Sequence, residues 1–203
     1  MSPSSILDNP GAAEPKTPSF EVFVPAQTVL PPSNARLGVL GSAYNPITRA
    51  HLLLARCSKD QFKLHEIVFV LPKTLPNKPV VDTSIEQRLE MMRLGTTDVP
   101  YVSLGICTHG LFLDMCAALK KVYPQTPEIF FITGRDAAER ILNWPYRDPA
   151  EILARMFAGF QLLVFDREGK LKLRENPLIR QYSNRIHTLQ LSECIDHISS
   201  TEV

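Results

Sequence analysis

The residues with most chemical promise stand together in Gly41-Ser-Ala-Tyr-Asn-Pro-Ile-Thr-Arg-Ala-His51, a small-residue turn that runs into a helical pattern. Gly41 and Ser42 are small enough for the backbone to approach a ligand, and Pro46 fixes the entry to the helix. Thr48 and His51 are three apart, so a hydroxyl and an imidazole share one face of the first helical turn. Unpaired backbone N–H groups and the positive end of the helix dipole meet at that corner, which suits an anion. The two side chains add donors for phosphate oxygens. On spacing alone, an ordinary strand-to-helix turn with a surface histidine fits equally well.

Three further segments carry candidate chemistry. Gly134-Arg-Asp136 follows an apolar strand pattern, and the lone tryptophan, Trp144, comes soon after it. An indole stacks well on a planar, electron-poor ring, and equally serves as a core anchor. Pro76-Asn-Lys78 lies in a loop that also holds Lys73, with Arg88 on the helix behind; a charge on such a loop is more often simply solvated. Ile198-Ser-Ser-Thr-Glu-Val203 closes the chain, and Ser199, Ser200 and Thr201 read in isolation as a common helix cap. The four cysteines, Cys57, Cys107, Cys116 and Cys194, have neither zinc-site nor redox-dithiol spacing and pack as small hydrophobes. No nucleophile-and-base pair stands out.

These groups need strands and helices to hold them. Residues 37–40 form a short apolar run, followed by the turn above and a helical pattern over 47–61. Residues 66–71 are near-continuously apolar, as a strand covered on both faces should be. Ser84 with Gln87 three residues on predicts a capping box at the next helix. Strand patterns at 101–104, 128–133, 161–165 and 185–189 alternate with helical ones, including 111–122 and a helix opened by Asp148-Pro-Ala-Glu. Strand, helix, strand at this spacing predicts right-handed parallel crossovers and an α/β, Rossmann-like, doubly wound parallel sheet between helix layers. Ligands of such sheets sit beyond the carboxyl ends of the strands.

Residues 1–34 differ. They hold seven of the 17 prolines and four charges, Asp8, Glu14, Lys16 and Glu21. That composition predicts a disordered lead-in before a domain spanning 35–203, with Phe20-Glu-Val-Phe-Val as the one stretch able to dock as an edge strand. Lys and Arg number 22 against 21 Asp and Glu, a net +1, without the excess that nucleic acid or anionic lipid would demand. The longest apolar run, 67–71, is far short of the roughly 20 residues of a membrane span. The opening residues lack the features of a secretory signal, which predicts a cytoplasmic protein.

The Gly-Ser-x-x-Asn-Pro-Ile-Thr-x-x-His segment resembles the (H/T)xGH signature of a nucleotidyltransferase superfamily. That superfamily includes the nicotinate and nicotinamide mononucleotide adenylyltransferases, phosphopantetheine adenylyltransferase and the cytidylyltransferases. The segment 198–203 is similar to the superfamily's Ile-Ser-Ser-Thr-x-Ile-Arg motif, and Gly134-x-Asp136 with Trp144 resembles the mononucleotide adenylyltransferase branch. The likeness runs from about residue 36 to 203. It implies a three-layer α/β/α fold and transfer of AMP from ATP to nicotinate or nicotinamide mononucleotide in NAD biosynthesis, with release of pyrophosphate. By this resemblance His51 contacts the phosphates and stabilises the transition state, Thr48 fills the first motif position, and Lys78 reaches a phosphate. Gly41, Ser42, Ala43, His51, Gly134, Asp136, Ser199, Ser200 and Thr201 would hold ATP. Asn45, Arg88, Asp114 and Trp144 would face the acceptor. Magnesium would be bound mainly through the ATP phosphates, with no dedicated metal ligands. The implied partners are ATP and a pyridine mononucleotide, not nucleic acid or membrane; self-association is left open.

Departures from the pattern keep alternatives in play. Ala50 replaces the usual glycine, and Tyr44 and Asn45 replace the commoner Phe and Asp. Between 108 and 116 the branch's usual stretch is reduced to Asp114. The motif's final arginine would fall just past Val203, so a truncated C-terminal helix is expected. Phosphopantetheine adenylyltransferase also carries Thr at the first motif position, although Gly134-x-Asp136 and Trp144 argue against it. A catalytically weak, nucleotide-binding regulatory protein is the alternative from another class.

Overall fold

The computed structural model describes residues 17–31, 33–74, 83–123, 128–165 and 176–189. Among them, strands and helices alternate as β1 (Phe20–Val24), β2 (Arg36–Gly41), α1 (Arg49–Phe62), β3 (Glu66–Pro72), α2 (Ile85–Gly95), β4 (Val102–Cys107), α3 (Phe112–Val122), β5 (Glu128–Gly134), α4 (Arg135–Leu142), α5 (Pro149–Gly159), β6 (Gln161–Phe165), α6 (Pro177–Arg180) and β7 (Ile186–Leu189). The strands form one sheet in the order β1-β4-β3-β2-β5-β6-β7. All neighbours from β4 to β7 pair in parallel. The chain therefore winds outward from β2 in one direction, returns, and winds outward in the other, which is the doubly wound pattern the alternation predicts.

Burial follows from that layout. Every residue of β3 is buried, because helices cover both faces of the sheet. One face packs Leu40, Phe69, Leu71 and Phe130 against Ala55 of α1 and Leu89 and Met92 of α2. The other packs Val39, Val70 and Phe131 against Met115 of α3, Ala138 of α4 and Phe157 of α5. The predicted caps form. The Ser84 N–H donates to Gln87 Oε1 at 2.8 Å and the Gln87 N–H donates to Ser84 Oγ at 3.2 Å. The Glu151 N–H donates to Asp148 Oδ1 at 3.0 Å, with Pro149 in the first turn of α5.

One part of the chain departs from the sequence expectation. Phe20–Val24, inside the proline-rich stretch, joins the sheet as β1 and pairs antiparallel with β4. Its prolines, Pro18 and Pro25, flank the strand instead of interrupting it, and an edge position needs ladder bonds on one side only. The docking groove is a missing side chain: a Cβ on Gly105 would lie 2.1 Å from Phe20 Cζ, so the Phe20 ring fits only because residue 105 is glycine. Beyond β1, the Gln27 and Thr28 N–H groups donate to Pro100 O at 2.8 and 3.3 Å. The Thr28 hydroxyl donates to His65 O at 3.4 Å, so the chain crosses beneath the amino ends of β4 and β3 before entering β2. Residues 1–16 and the C-terminal segment expected to be truncated lie outside the described residues.

Candidate functional site

β2 ends at Gly41 between β3 and β5, where the strand order reverses, so its following loop lies at the mouth of the crevice such sheets form. The Ser42 N–H donates to Val70 O at 3.3 Å and keeps the loop against β3. Tyr44 then turns the chain inward with φ 47°, a left-handed conformation that non-glycine residues adopt at a cost of about 1 kcal/mol. Its packing offsets that cost. The Tyr44 ring is 1% exposed, stacks on Phe69 at 5.4 Å between centroids, and donates its hydroxyl to Leu40 O at 2.5 Å. The same ring lies 5.0 Å from the His51 ring at 51°, forming a floor beneath the imidazole.

Thr48 caps α1 and sets the protonation of His51. Its backbone N–H donates to His51 Nδ1 at 3.0 Å, and its Oγ1 lies 2.8 Å from the same nitrogen. A backbone N–H can only donate, so Nδ1 carries the lone pair and Nε2 carries the proton. Nε2–H then donates to Ser42 Oγ at 3.2 Å. Burial pulls the His51 pKa down from 6.5 to about 4, so at neutral pH the ring is an uncharged donor held at both nitrogens.

This state has a measurable signature. NMR titration of the free protein is expected to show the His51 ring protonating near pH 4, and later, at higher pH, once a triphosphate places negative charge beside it. The linkage has a definite sign. The unfolded chain takes a proton on this ring near pH 6.5 and the folded chain only near 4, so stability falls as pH drops through that window. In His51→Asn that portion of the slope is expected to vanish, as read by denaturant unfolding at pH 7 and pH 4.5. A His51 midpoint near 6.5 in the folded protein would contradict the assignment.

Arg88 is buried at 4% exposure and lies behind the loop. Its Nη1 donates to Ala43 O at 3.2 Å and its Nε to Ser84 O at 3.4 Å, which ties α2 to the Gly-Ser loop. Ser42, Ala43, Thr48, His51 and Arg88 are thus brought together. Asn45 is half-buried in the same loop. The sequence reading did not single out Tyr44 for a role; its signal was one large aromatic amid the small and polar residues of a turn.

The remaining candidates surround this centre. Gly134 caps α4 at the end of β5, beside β2, and a Cβ there would meet nothing within 4 Å. Asp136, in the first turn of α4, has its side chain 94% exposed, with Oδ1 3.6 Å from Arg135 Nε. Asp114, in the first turn of α3, is half-buried; burial raises its carboxyl pKa, and His109 and Arg155 partly counter that. Trp144 is half-buried in the turn after α4, where the Tyr146 N–H donates to Trp144 O at 2.7 Å and the Tyr146 hydroxyl to Ile141 O at 2.9 Å. No described contact joins Asp114, Asp136 or Trp144 to His51. Lys78, Ser199, Ser200 and Thr201 lie outside the described residues.

The donor set therefore consists of a neutral imidazole N–H, a serine hydroxyl and the N–H groups opening α1, all suited to phosphate oxygens. Among the described residues, no group of three or more His, Cys, Asp or Glu is placed to hold a metal ion, and no helix is long and apolar enough to cross a membrane.

The sequence pattern of the cytidylyltransferase-like family matches residues 39–203. A probable nicotinate-nucleotide adenylyltransferase of Citrifermentans bemidjiense is 36% identical over 115 residues, covering 54% of this chain and 53% of that protein. The chain thus spans about half the length of that relative. A second protein of the same description, from Moorella thermoacetica, is 29% identical over 180 residues, covering 83% and 78%. A solved structure, Plasmodium falciparum nicotinic acid mononucleotide adenylyltransferase complexed with NaAD, superposes with a TM-score of 0.58 at 18% identity, covering 83% of this chain and 82% of that one. The fold is shared.

Proposed function

Because the chain belongs to the cytidylyltransferase-like family, we propose that it transfers AMP from ATP to nicotinate mononucleotide and releases pyrophosphate, a step of NAD biosynthesis. The observation that carries this reading is the His51 imidazole, kept neutral by burial and fixed by Thr48 as the Nε2–H tautomer, with that N–H on Ser42 Oγ at the amino end of α1. Relatives described as nicotinate-nucleotide adenylyltransferases support the choice of acceptor.

The chemistry asks for positioning more than for a covalent partner. The acceptor's 5′-phosphate oxygen attacks the α-phosphorus of ATP, the new P–O bond forms as the bond to pyrophosphate breaks, and both reactants are anionic. A donor aimed where charge develops lowers that barrier. His51 Nε2–H exchanges Ser42 Oγ for a phosphate oxygen, and Thr48 keeps the ring from rotating or changing tautomer. Since Nδ1 already accepts a backbone proton, His51 acts as a hydrogen-bond donor and not as a base. Ser42 and the first N–H groups of α1 hold further oxygens. Magnesium enters with the phosphates as part of the nucleotide substrate. Lys78, Ser199, Ser200 and Thr201 are assigned to phosphate binding, Gly134 and Asp136 to the adenosine side, and Asn45, Asp114 and Trp144 to the acceptor. Arg88 supports the loop through Ala43.

Pyrophosphate release, measured with ATP and each of nicotinate mononucleotide, nicotinamide mononucleotide and phosphopantetheine, tests this directly. Release is expected with a pyridine mononucleotide, fastest with nicotinate mononucleotide, and not with phosphopantetheine. ATP binding without release in any mixture would favour a nucleotide-binding regulatory protein instead.

A further inference from the structure

Helix α2 touches the loop that leads to His51 at two points, and one of them exists only because a side chain is missing. Arg88 and Gly95 are seven residues apart, so two helical turns bring them to the same face of α2. From that face Arg88 donates to Ala43 O, and Gly95 receives the side chain of Ile47. The two contacts hold the loop on either side of Tyr44. A Cβ on Gly95 would stand 2.7 Å from Ile47 Cγ2 and 3.5 Å from its Cδ1. Carbon atoms rest about 3.5–4.0 Å apart, so any side chain at residue 95 obliges one partner to give by about 1 Å.

Two constraints decide which partner gives. Met92, between Arg88 and Gly95 on the same face, is fully buried against the sheet, as is most of Leu89, so α2 has no room to retreat. Ile47 has little freedom to turn its methyl aside, because a β-branched side chain is stiff at its first torsion and the ring of Pro46 restricts the backbone before it. The displacement therefore falls on the backbone of Ile47. There it reaches the site, because the Ile47 carbonyl and the Thr48 N–H share one rigid peptide plane. That N–H donates to His51 Nδ1 at 3.0 Å and leaves the ring proton on Nε2.

We propose that Gly95 is a positioning residue for His51: by leaving room for Ile47 it sets the peptide that holds the imidazole in its donor tautomer. The expected effect on rate rests on the adenylyl-transfer reading above. Alanine is a better helix former than glycine, so Gly95→Ala tests the contact without opposing the helix. In that variant kcat is expected to fall roughly ten- to hundredfold, the cost of misplacing a reacting group by about 1 Å, with both KM values within about threefold of wild type. The ¹⁵N shifts of the His51 ring, read without substrate, should pass from a fixed Nε2–H tautomer to a mixture. Ile47→Ala vacates the same contact from the other side and should change kcat and ring shifts in the same direction, which also provides the test if Gly95→Ala does not fold. Combining the two changes returns a methyl to the gap, so the double variant should recover rate and ring shifts relative to Gly95→Ala. A folded Gly95→Ala with wild-type kcat and ring shifts overturns the proposal, as does one whose KM values rise at unchanged kcat. A double variant whose losses simply multiply overturns it too. If the wild type releases no pyrophosphate, the adenylyl-transfer reading fails, and the ring shifts alone then decide whether Gly95 places His51.

Discussion

His51→Ala is expected to lose two to three orders of magnitude in kcat while KM for both substrates changes little. Removing a single donor aimed at developing negative charge costs about 10²–10³ in rate. The bond strengthens as charge builds on the phosphoryl oxygens, so its loss falls on turnover more than on binding. Two features of the structure make His51 the place for so large an effect. The imidazole is fixed at both nitrogens, by Thr48 and by Ser42, so little reorganisation accompanies reaction. It is also uncharged, so no counter-ion has to be displaced before a phosphate arrives. Steady-state rates, with far-UV circular dichroism to confirm the fold, check this. A variant turning over near the wild-type rate would remove His51 from the mechanism.

Tyr44→Ala is expected to damage stability and turnover together. Truncating a buried aromatic costs about 3–5 kcal/mol through lost burial and the cavity left behind. Here the cavity would open between Phe69 and the His51 ring, and alanine would keep the unfavourable φ of 47° without the packing that offsets it. The imidazole would lose its floor, so kcat should fall even in the fraction that remains folded. Tyr44→Phe separates the two contributions. It keeps the ring and loses only the bond to Leu40 O, for about 1 kcal/mol and near-normal turnover. Denaturant unfolding of the pair, alongside rates measured well below each midpoint, is the comparison required. Equal stabilities for Tyr44→Ala and wild type would mean that the ring supports nothing.

Much of this arrangement was legible in the sequence because it rests on local patterns. The apolar runs of β2, β3, β5 and β6, the Ser84–Gln87 box and the Asp148-Pro149 start each depend on residues within a turn of one another. Thr48 and His51 belong to the same class: a spacing of three residues is enough to put them on one helical face. The features that escaped depend on distant partners. Nothing near Phe20 in the chain tells that Gly105 leaves room for its ring, so the pattern marks a stretch able to dock but neither its partner nor that it docks. The tie from Arg88 to the carbonyl of Ala43 also spans 45 positions and leaves no local trace. The tautomer of His51 needed the direction of a backbone N–H, which no residue pattern encodes.

The antiparallel edge strand also bears on how the molecule is made. Ser19 and Thr108 are 89 positions apart, so Ser19 leaves the ribosome long before its partner exists. At about 5–20 residues per second, that interval is roughly 4–18 s. During it Phe20, Val22 and Val24 have no sheet to join, while β2, β3 and the helix between them are already available to one another. The first of the described strands is therefore among the last parts of the sheet's leading half to find its partner.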